Sequence, residues 1–174
     1  IIVKSDITAA SNYRATQDFS CWLASAGLTG IAGVDTRNLT RRIRDFGAMN
    51  GIISFSNKKC FDIDELTIKA QSHPSLSGMD LASDVSSREL EKWSTGTWKF
   101  GSKKNDDGFE NTERKDYHIV AIDYGAKRNI LRNLAQLGAE VTTVPSNLSA
   151  DAILNLRPDG IFLSNGPGDP AATA

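Results

Sequence analysis

The feature that most constrains the fold lies in the last third of the chain, where three apolar runs alternate with two amphipathic segments. The runs cover residues 118–123, 140–144 and 161–164. Continuous apolar runs of this length are typical of parallel strands that are buried on both faces. The segments between them, residues 126–137 and 151–156, have the helical spacing of apolar side chains. The order strand, helix, strand, helix, strand predicts the opening of a doubly wound α/β sheet.

The first hundred residues have a less regular pattern, which indicates a small mixed α/β domain. Capping side chains at Thr16 and Asp35 precede amphipathic segments that end at Gly27 and Gly47, and each pair predicts a helix. The other elements predicted here are a helix over residues 62–72, strands over residues 31–34 and 52–55, and a short helix over residues 88–93.

Residues 101–116 differ in composition from the sequence on either side. They contain one large apolar residue, Phe109, among charged, polar and glycine residues. Such a segment cannot bury enough surface to offset its own ordering entropy, so we expect a mobile linker or a long loop. The chain is therefore predicted to have one domain over residues 1–100 and a second from residue 117 to 174.

Composition excludes several classes of function. The net charge of −1 argues against nucleic acid or an anionic membrane as a partner of the whole chain. No run of 18 apolar residues exists, and the start has no signal-peptide pattern. Two separated cysteines predict neither a metal site nor a disulfide framework, and they fit a reduced, cytoplasmic compartment. Both ends of the sequence suggest a piece of a longer chain.

The strongest candidate site is the sequence Asn-Gly-Pro-Gly-Asp-Pro at residues 165–170, directly after the third predicted strand. Ligands of open α/β sheets sit outside the carboxyl ends of the strands. Gly166 and Gly168 let the backbone approach a ligand and present N–H groups, while Pro167 and Pro170 fix φ on either side. Donors that are held before charge develops are what an oxyanion site requires. On turn chemistry alone, an ordinary strand-to-helix turn is the favoured alternative.

A family resemblance decides between these two interpretations. Residues 164–170, Ser-Asn-Gly-Pro-Gly-Asp-Pro, resemble the oxyanion loop of class I glutamine amidotransferases, in the form found in the small subunits of carbamoyl-phosphate synthases. Three further blocks, at residues 34–41, 78–82 and 123–132, resemble the same subunit family. The resemblance covers almost the whole chain and is weakest over residues 101–116.

The resemblance implies a fold, a reaction and a partner. It implies an N-terminal small-subunit domain followed by the opening of a flavodoxin-like amidotransferase domain that hydrolyses glutamine through a cysteine thioester. Gly166 would be the oxyanion donor, and Gly168 would be a second contact to glutamine. The ammonia would pass to a large subunit that uses ATP and Mg²⁺ to make carbamoyl phosphate for the arginine and pyrimidine pathways. The resemblance implies no cofactor and no metal for this chain itself.

The nucleophile half of such a site is missing from the 174 residues. The family uses a cysteine in G-x-C-x-G and a histidine in H-x-E. Cys21 and Cys60 lack flanking glycines, and neither His73 nor His118 begins an H-x-E. We therefore expect no catalytic residue and no glutaminase activity in this chain alone. The alternatives are another class I amidotransferase, which would lack the block at residues 34–41, and a non-catalytic binding module of the same fold.

A group of arginines in the second predicted helix has two possible roles. The group comprises Arg37, Arg41, Arg42 and Arg44. It could contact an acidic surface of the large subunit, or it could form a solvated helix face beside Asp45. The sequence favours neither role over the other.

Overall fold

In the computed structural model, which describes residues 1–100 and 108–173, backbone contacts divide the chain into two units, with the division after Ser75. The predicted domain boundary, at residues 101–116, stays a prediction, and the division into units falls at a different place. The reason is that residues 91–93 pair with a strand of the second unit. Each unit is described by itself below.

The first unit contains three helices, α1 (Phe19–Ser25), α2 (Thr36–Phe46) and α3 (Ile63–Ser72). Side-chain caps begin two of them. The Asp35 carboxylate accepts a hydrogen bond from the N–H of Asn38 at 3.0 Å, and the Asp62 carboxylate accepts one from Glu65 at 2.9 Å. Each cap satisfies an N–H that has no partner within its helix. The helix that begins after Asp35 is therefore confirmed.

Other predictions for the first unit are wrong in detail. The cap of α1 is Asp18, without a side-chain hydrogen bond, and Thr16 lies before it. Residues 31–34 form only an isolated bridge between Ile31 and Ile2, and residues 52–55 form no strand. An apolar run becomes a strand only where another strand satisfies its backbone groups. Among the described residues of this unit, Leu23 is the one buried side chain.

The second unit contains a four-stranded sheet, a two-stranded sheet and helices. Its elements in chain order are α4 (Ala82–Val85), β1 (Glu91–Trp93), β2 (Thr95–Trp98), β3 (Phe109–Asn111), β4 (Tyr117–Asp123), α5 (Arg128–Gln136), β5 (Ala139–Pro145), α6 (Ala150–Asn155), β6 (Gly160–Leu163) and a 3₁₀ turn (Pro170–Thr173). The larger sheet has the order β1, β5, β4, β6.

The strand order confirms the predicted doubly wound fold. β4 pairs in parallel with β5 on one side and with β6 on the other. Successive residues of a strand point to opposite faces, so Ala121 packs with Leu131 of α5, while Val120 packs with Ile153 of α6. Val120 and Val141 are fully buried, and burial of such a side chain stabilises a fold by about 1.5–3 kcal/mol.

The helix predicted over residues 88–93 is wrong. Residues 91–93 form β1, which pairs antiparallel with β5 and adds an edge to the sheet. The Lys92 ammonium forms an ion pair with Glu140 of β5 at 3.1 Å, and the Trp93 ring packs against the core around Leu131. A short isolated helix is only marginally stable, because its first turn costs more entropy than its few hydrogen bonds repay. As an edge strand, the same residues form backbone hydrogen bonds with β5.

The predicted linker is in part a strand. Residues 101–107 of it lie outside the described residues. Phe109, its one large apolar residue, begins β3, which pairs with β2, and the Arg132 guanidinium of α5 lies 3.7 Å from the centroid of the Phe109 ring. Arg132, a charged residue of α5, therefore packs against β3. In the part of the chain that the structure describes, no helix is long and apolar enough to cross a membrane.

Candidate functional site

The topology of the larger sheet creates a crevice at one edge. From β4 the chain passes through α5 to β5 on one side, and then returns through α6 to β6 on the other side of β4. α5 and α6 pack on opposite faces of the sheet, and the strand order reverses at β4, with β5 on one side and β6 on the other. This is the switch point at which open α/β sheets bind their ligands. The two loops that follow these strands, residues 124–127 and 164–170, meet there.

Ser164 joins the two loops. Its hydroxyl oxygen accepts a hydrogen bond from the N–H of Tyr124 at 2.9 Å, and the hydroxyl donates to the carbonyl of Asn165 at 2.8 Å. Its own N–H donates to the carbonyl of Ile122 in β4 at 3.2 Å. The start of the glycine loop is therefore fixed to the end of β4.

The geometry at Gly166 and Gly168 leaves no room for a side chain unless neighbouring backbone moves. A Cβ atom on Gly166 would lie 2.2 Å from the carbonyl oxygen of Tyr124, far inside van der Waals contact. Gly168 has a φ of 87°, in the left-handed region, and a Cβ there would lie 2.7 Å from the carbonyl oxygen of Met79. One glycine is required by space alone, and the other by both space and conformation.

The glycine loop borders a cavity and retains hydrogen-bonding capacity. Within residues 1–100 and 108–173, the N–H groups of Gly166 and Gly168 donate to no protein acceptor. Both glycines line a cavity of about 440 Å³, together with Tyr124, Asn165 and Thr173 among others. An anionic oxygen that entered this cavity would find backbone donors that need not first break another hydrogen bond.

Asp123 holds the turn after β4. One oxygen of its carboxylate accepts from the N–H groups of Gly125 and Ala126 at 2.9 and 2.8 Å, and the other accepts from Ser87 at 2.9 Å. Partial burial raises the pKa of this carboxyl group, but the hydrogen bonds from Ala126, Gly125 and Ser87 outweigh burial and leave the pKa below its ordinary value.

Asp169 also accepts hydrogen bonds from backbone N–H groups, in the glycine loop. Its carboxylate accepts hydrogen bonds from the N–H groups of Gly78 at 2.9 Å and Ala171 at 3.0 Å. These bonds, that of Gly78 first, lower the pKa of Asp169. Sequence reasoning missed Asp123 and Asp169 as structural ligands of the backbone. The sequence contains no signal for the contact with Gly78, because 90 positions separate the two residues.

The residues considered as a nucleophile or a base are not among those that line the cavity of the glycine loop. Cys21, Cys60 and His73 belong to the first unit, and both cysteines are exposed. His118 lies at the amino end of β4, opposite the glycine loop, and its Nε2 is 2.8 Å from the hydroxyl of the buried Thr142. This contact agrees with a structural role for His118. The described residues contain no group of three or more side chains that could hold a metal ion.

Comparison with known proteins gives the same class as the fold and the loop. The model of class I glutamine amidotransferases matches residues 120–174, and that of the CPSase domain of the carbamoyl-phosphate synthase small chain matches residues 1–53. The match to class I glutamine amidotransferases therefore lies within the second unit. The two matches, in this order along the chain, confirm the resemblance to carbamoyl-phosphate synthase small chains described above.

Individual relatives match the chain over nearly its whole length. The carbamoyl phosphate synthase small chain of Brucella anthropi is 45% identical over 172 residues, which are 99% of this chain and 41% of the relative. That of Caulobacter vibrioides is 46% identical over 166 residues, or 95% of this chain and 42% of the relative. The small chain of Bartonella henselae is 47% identical over 175 residues, and the match covers 99% of this chain and 42% of the relative. The chain therefore spans about two fifths of the length of these relatives.

Proposed function

We propose that this chain is part of the glutamine-hydrolysing small subunit of a carbamoyl-phosphate synthase. The observation that carries the proposal is the loop at residues 164–170, where Gly166 and Gly168 border a cavity at the switch point of the sheet. Their N–H groups donate no hydrogen bond to an acceptor among the described residues. The relatives share the name carbamoyl phosphate synthase small chain. Glutamine hydrolysis, the reaction proposed for such a chain, needs backbone donors of this kind.

In the proposed reaction, a cysteine thiolate attacks the side-chain carboxamide of glutamine, and the carbonyl oxygen becomes an oxyanion. The N–H of Gly166 donates a hydrogen bond to this oxygen, and Gly168 contacts the substrate. Charge develops on the oxygen only as the carbon–sulfur bond forms, so a donor that is already in place stabilises the transition state more than the substrate. Collapse of the tetrahedral intermediate releases ammonia and leaves a thioester, which water hydrolyses to glutamate.

The nucleophile and the base come, in this proposal, from sequence outside the 174 residues. The chain contains no G-x-C-x-G and no H-x-E, and it spans about two fifths of its relatives. The chain by itself is therefore expected to release no ammonia from glutamine.

The proposed complex is a cytoplasmic ligase in which the small and the large subunit carry out different steps. The small subunit takes no cofactor or metal of its own, and it delivers ammonia to a large subunit. The large subunit uses ATP and Mg²⁺ to combine ammonia with bicarbonate, and the carbamoyl phosphate feeds arginine and pyrimidine biosynthesis. Neither nucleic acid nor a membrane is a partner. The arginines of α2 are exposed. Exposure is required both for contact with the large subunit and for a solvated helix face, so it does not decide between these two roles.

The test is ammonia release by the full-length protein that contains this sequence, with and without Gly166→Ala. The added Cβ would meet the carbonyl oxygen of Tyr124 at 2.2 Å, so the loop must move and the donor moves with it. We expect kcat to fall about 100-fold, as when an oxyanion donor is removed, with a smaller change in KM.

Gly160→Ala is the matched control, because its added Cβ would have Ile119 as its nearest neighbour, at 4.0 Å. This variant should keep kcat within a factor of about two. A wild-type full-length protein that releases no ammonia would overturn the proposed function and favour a non-catalytic binding module. A normal kcat for Gly166→Ala would overturn the role given to this glycine.

A further inference from the structure

The segment from Leu76 to Ser87 lies along the carboxyl edge of the sheet and contacts the loops that follow three strands. At its first end, the N–H of Gly78 donates to the Asp169 carboxylate. At its last end, the N–H of Ser87 donates to the Asp123 carboxylate. Two carboxylates, one at the end of β4 and one in the glycine loop, thus hold the two ends of one segment.

The contact with the glycine loop is made by backbone on both sides. The N–H of Asp169 donates to the carbonyl of Met79 at 3.2 Å, while the Asp169 carboxylate accepts from Gly78 at 2.9 Å. Asp169 thereby accepts a hydrogen bond from one residue of the segment and donates one to the next. A Cβ on Gly168 would lie 2.7 Å from the Met79 oxygen and 3.0 Å from the N atom of Leu81. The loop therefore rests directly on the backbone of residues 79–81.

The rest of the segment is anchored to the same unit. Ala82 is almost fully buried, at 2% exposure. The Asp80 carboxylate accepts from the N–H of Ser83, in the first turn of α4, at 3.0 Å. A Cβ on Gly125 would lie 2.8 Å from Cγ2 of Val85, and the Ser86 hydroxyl oxygen accepts from the N–H of Ser146 after β5 at 2.9 Å. The segment is a fixed support and not a loose loop.

We propose that Asp169 is a positioning residue, which clamps the glycine loop onto Gly78 and Met79 and thereby sets where the N–H groups of Gly166 and Gly168 lie. The kinetic part of this inference rests on the proposed function. The clamp lies two residues after Pro167, whose ring fixes the backbone between the two glycines. A donor group must be held close to its productive position, because a displacement of about 1 Å can cost about 100-fold in rate.

The role of Asp169 is distinct from that of a residue that touches the substrate. Asp169 is not among the residues that line the cavity of the glycine loop. Its carboxylate faces the backbone N–H groups of Gly78 and Ala171, and both carboxylate oxygens are used by them. Loss of the carboxylate should therefore affect the rate of the chemical step more than the binding of glutamine.

The first experiment measures the clamp in the 174-residue chain by hydrogen exchange with mass spectrometry. We expect Asp169→Ala to increase exchange at least tenfold in residues 76–81 and 164–170. Asp159→Asn is the matched control, because Asp159 also accepts a backbone N–H, that of His118 at 2.6 Å, but at the opposite end of β4. Equal exchange in these segments for Asp169→Ala and the wild type would overturn the clamp.

The second experiment measures kcat and KM for glutamine in the full-length protein. We expect Asp169→Ala to lower kcat about 100-fold with KM changed less than threefold, while Asp169→Asn recovers part of kcat because its one carbonyl oxygen can still accept from Gly78. Circular dichroism spectra matching the wild type would show that the loss is not due to unfolding. A kcat for Asp169→Ala equal to that of Asp159→Asn would overturn the inference.

The two experiments separate failure of the inference from failure of the proposed function. A full-length wild type without glutaminase activity would overturn the proposed function, and the exchange measurement would still decide whether Asp169 clamps the loop. An active wild type with an unchanged Asp169→Ala variant would overturn the positioning role alone.

Discussion

Among single residues, Asp123 shows how one carboxylate can organise a turn. It ends β4, and its two oxygens accept three backbone N–H groups, two from its own turn and one from Ser87. Without these bonds, the N–H groups at the start of the loop would lack partners at a partly buried position. The turn that carries Tyr124 therefore depends on the charge of Asp123, and through Ser164 so does the start of the glycine loop.

The first prediction concerns the pH dependence of stability. The hydrogen bonds to Asp123 lower its pKa below 3.8 in the folded chain. A carboxyl group with a lowered folded pKa contributes stability that is present above its unfolded pKa and is lost as the pH falls through the folded value. Asp123→Asn should therefore reduce the free energy of unfolding by about 1 kcal/mol at pH 7.

The difference between the two proteins should shrink as the pH falls below 3.8, because the unfolded wild-type chain then binds a proton at Asp123 more readily than the folded chain does. Urea unfolding followed by circular dichroism, from pH 7 to pH 3, measures both free energies. The prediction fails if the difference between wild type and variant is the same at both ends of this range.

At the scale of elements, the sequence predicted what depends on local pattern and missed what depends on pairing. The capping of α2, the order of β4, α5 and β5, and the position of the glycine loop follow from neighbouring residues. β1 and β3 were missed because a three-residue strand exists only through its partner strand. The partner lies 52 positions away in the pair Glu91–Thr143 and 11 positions away in the pair Trp98–Phe109. The support of the glycine loop by Gly78 was missed for the same reason.

The outer side of α5 illustrates the consequence of this missed pairing. The polar residues of an ordinary amphipathic helix face solvent. Instead, the side-chain oxygen of Gln136 accepts hydrogen bonds from the N–H and the hydroxyl of Thr97 in β2, at 3.1 and 3.0 Å. A Cβ on Gly96 would lie 2.8 Å from the same Gln136 oxygen, so the small sheet packs closely on this end of the helix.

The second prediction tests this docking. Gln136→Ala removes the acceptor of two hydrogen bonds and should destabilise the docked state of β2 by about 1–3 kcal/mol. Hydrogen exchange of residues 95–98 should therefore become faster by about tenfold or more. Asn133→Ala on the same helix is the control, because the Asn133 amide donates only within α5, to the carbonyl of Asn129. Equal exchange of β2 in the two variants would contradict the docking role of Gln136.

For the whole molecule, the distribution of buried side chains differs sharply between the two units. In the described part of the chain, Leu23 is the single buried hydrophobic residue of the first unit, whereas the second unit has cores on both faces of its larger sheet. Large apolar side chains of the first unit, among them Trp22 and Phe46, are exposed at 43% and 75%. Because burial of apolar surface is the main stabilising contribution, the two units should differ in their free energies of opening.

The third prediction follows from this difference and uses the 174-residue chain. Native-state hydrogen exchange should be slowest in β4 and β5, where Val120, Val141 and Val144 are fully buried, and much faster in α1, α2 and α3. Val141→Ala should remove about 2 kcal/mol or more from the protection of β4 and β5, because it leaves a cavity among well-packed neighbours. Leu23→Ala is the matched change in the first unit, and it should accelerate exchange in α1. Protection of α1 equal to that of β4 would show that the first unit has a stabilising core that its burial does not reveal, and the prediction would then be wrong.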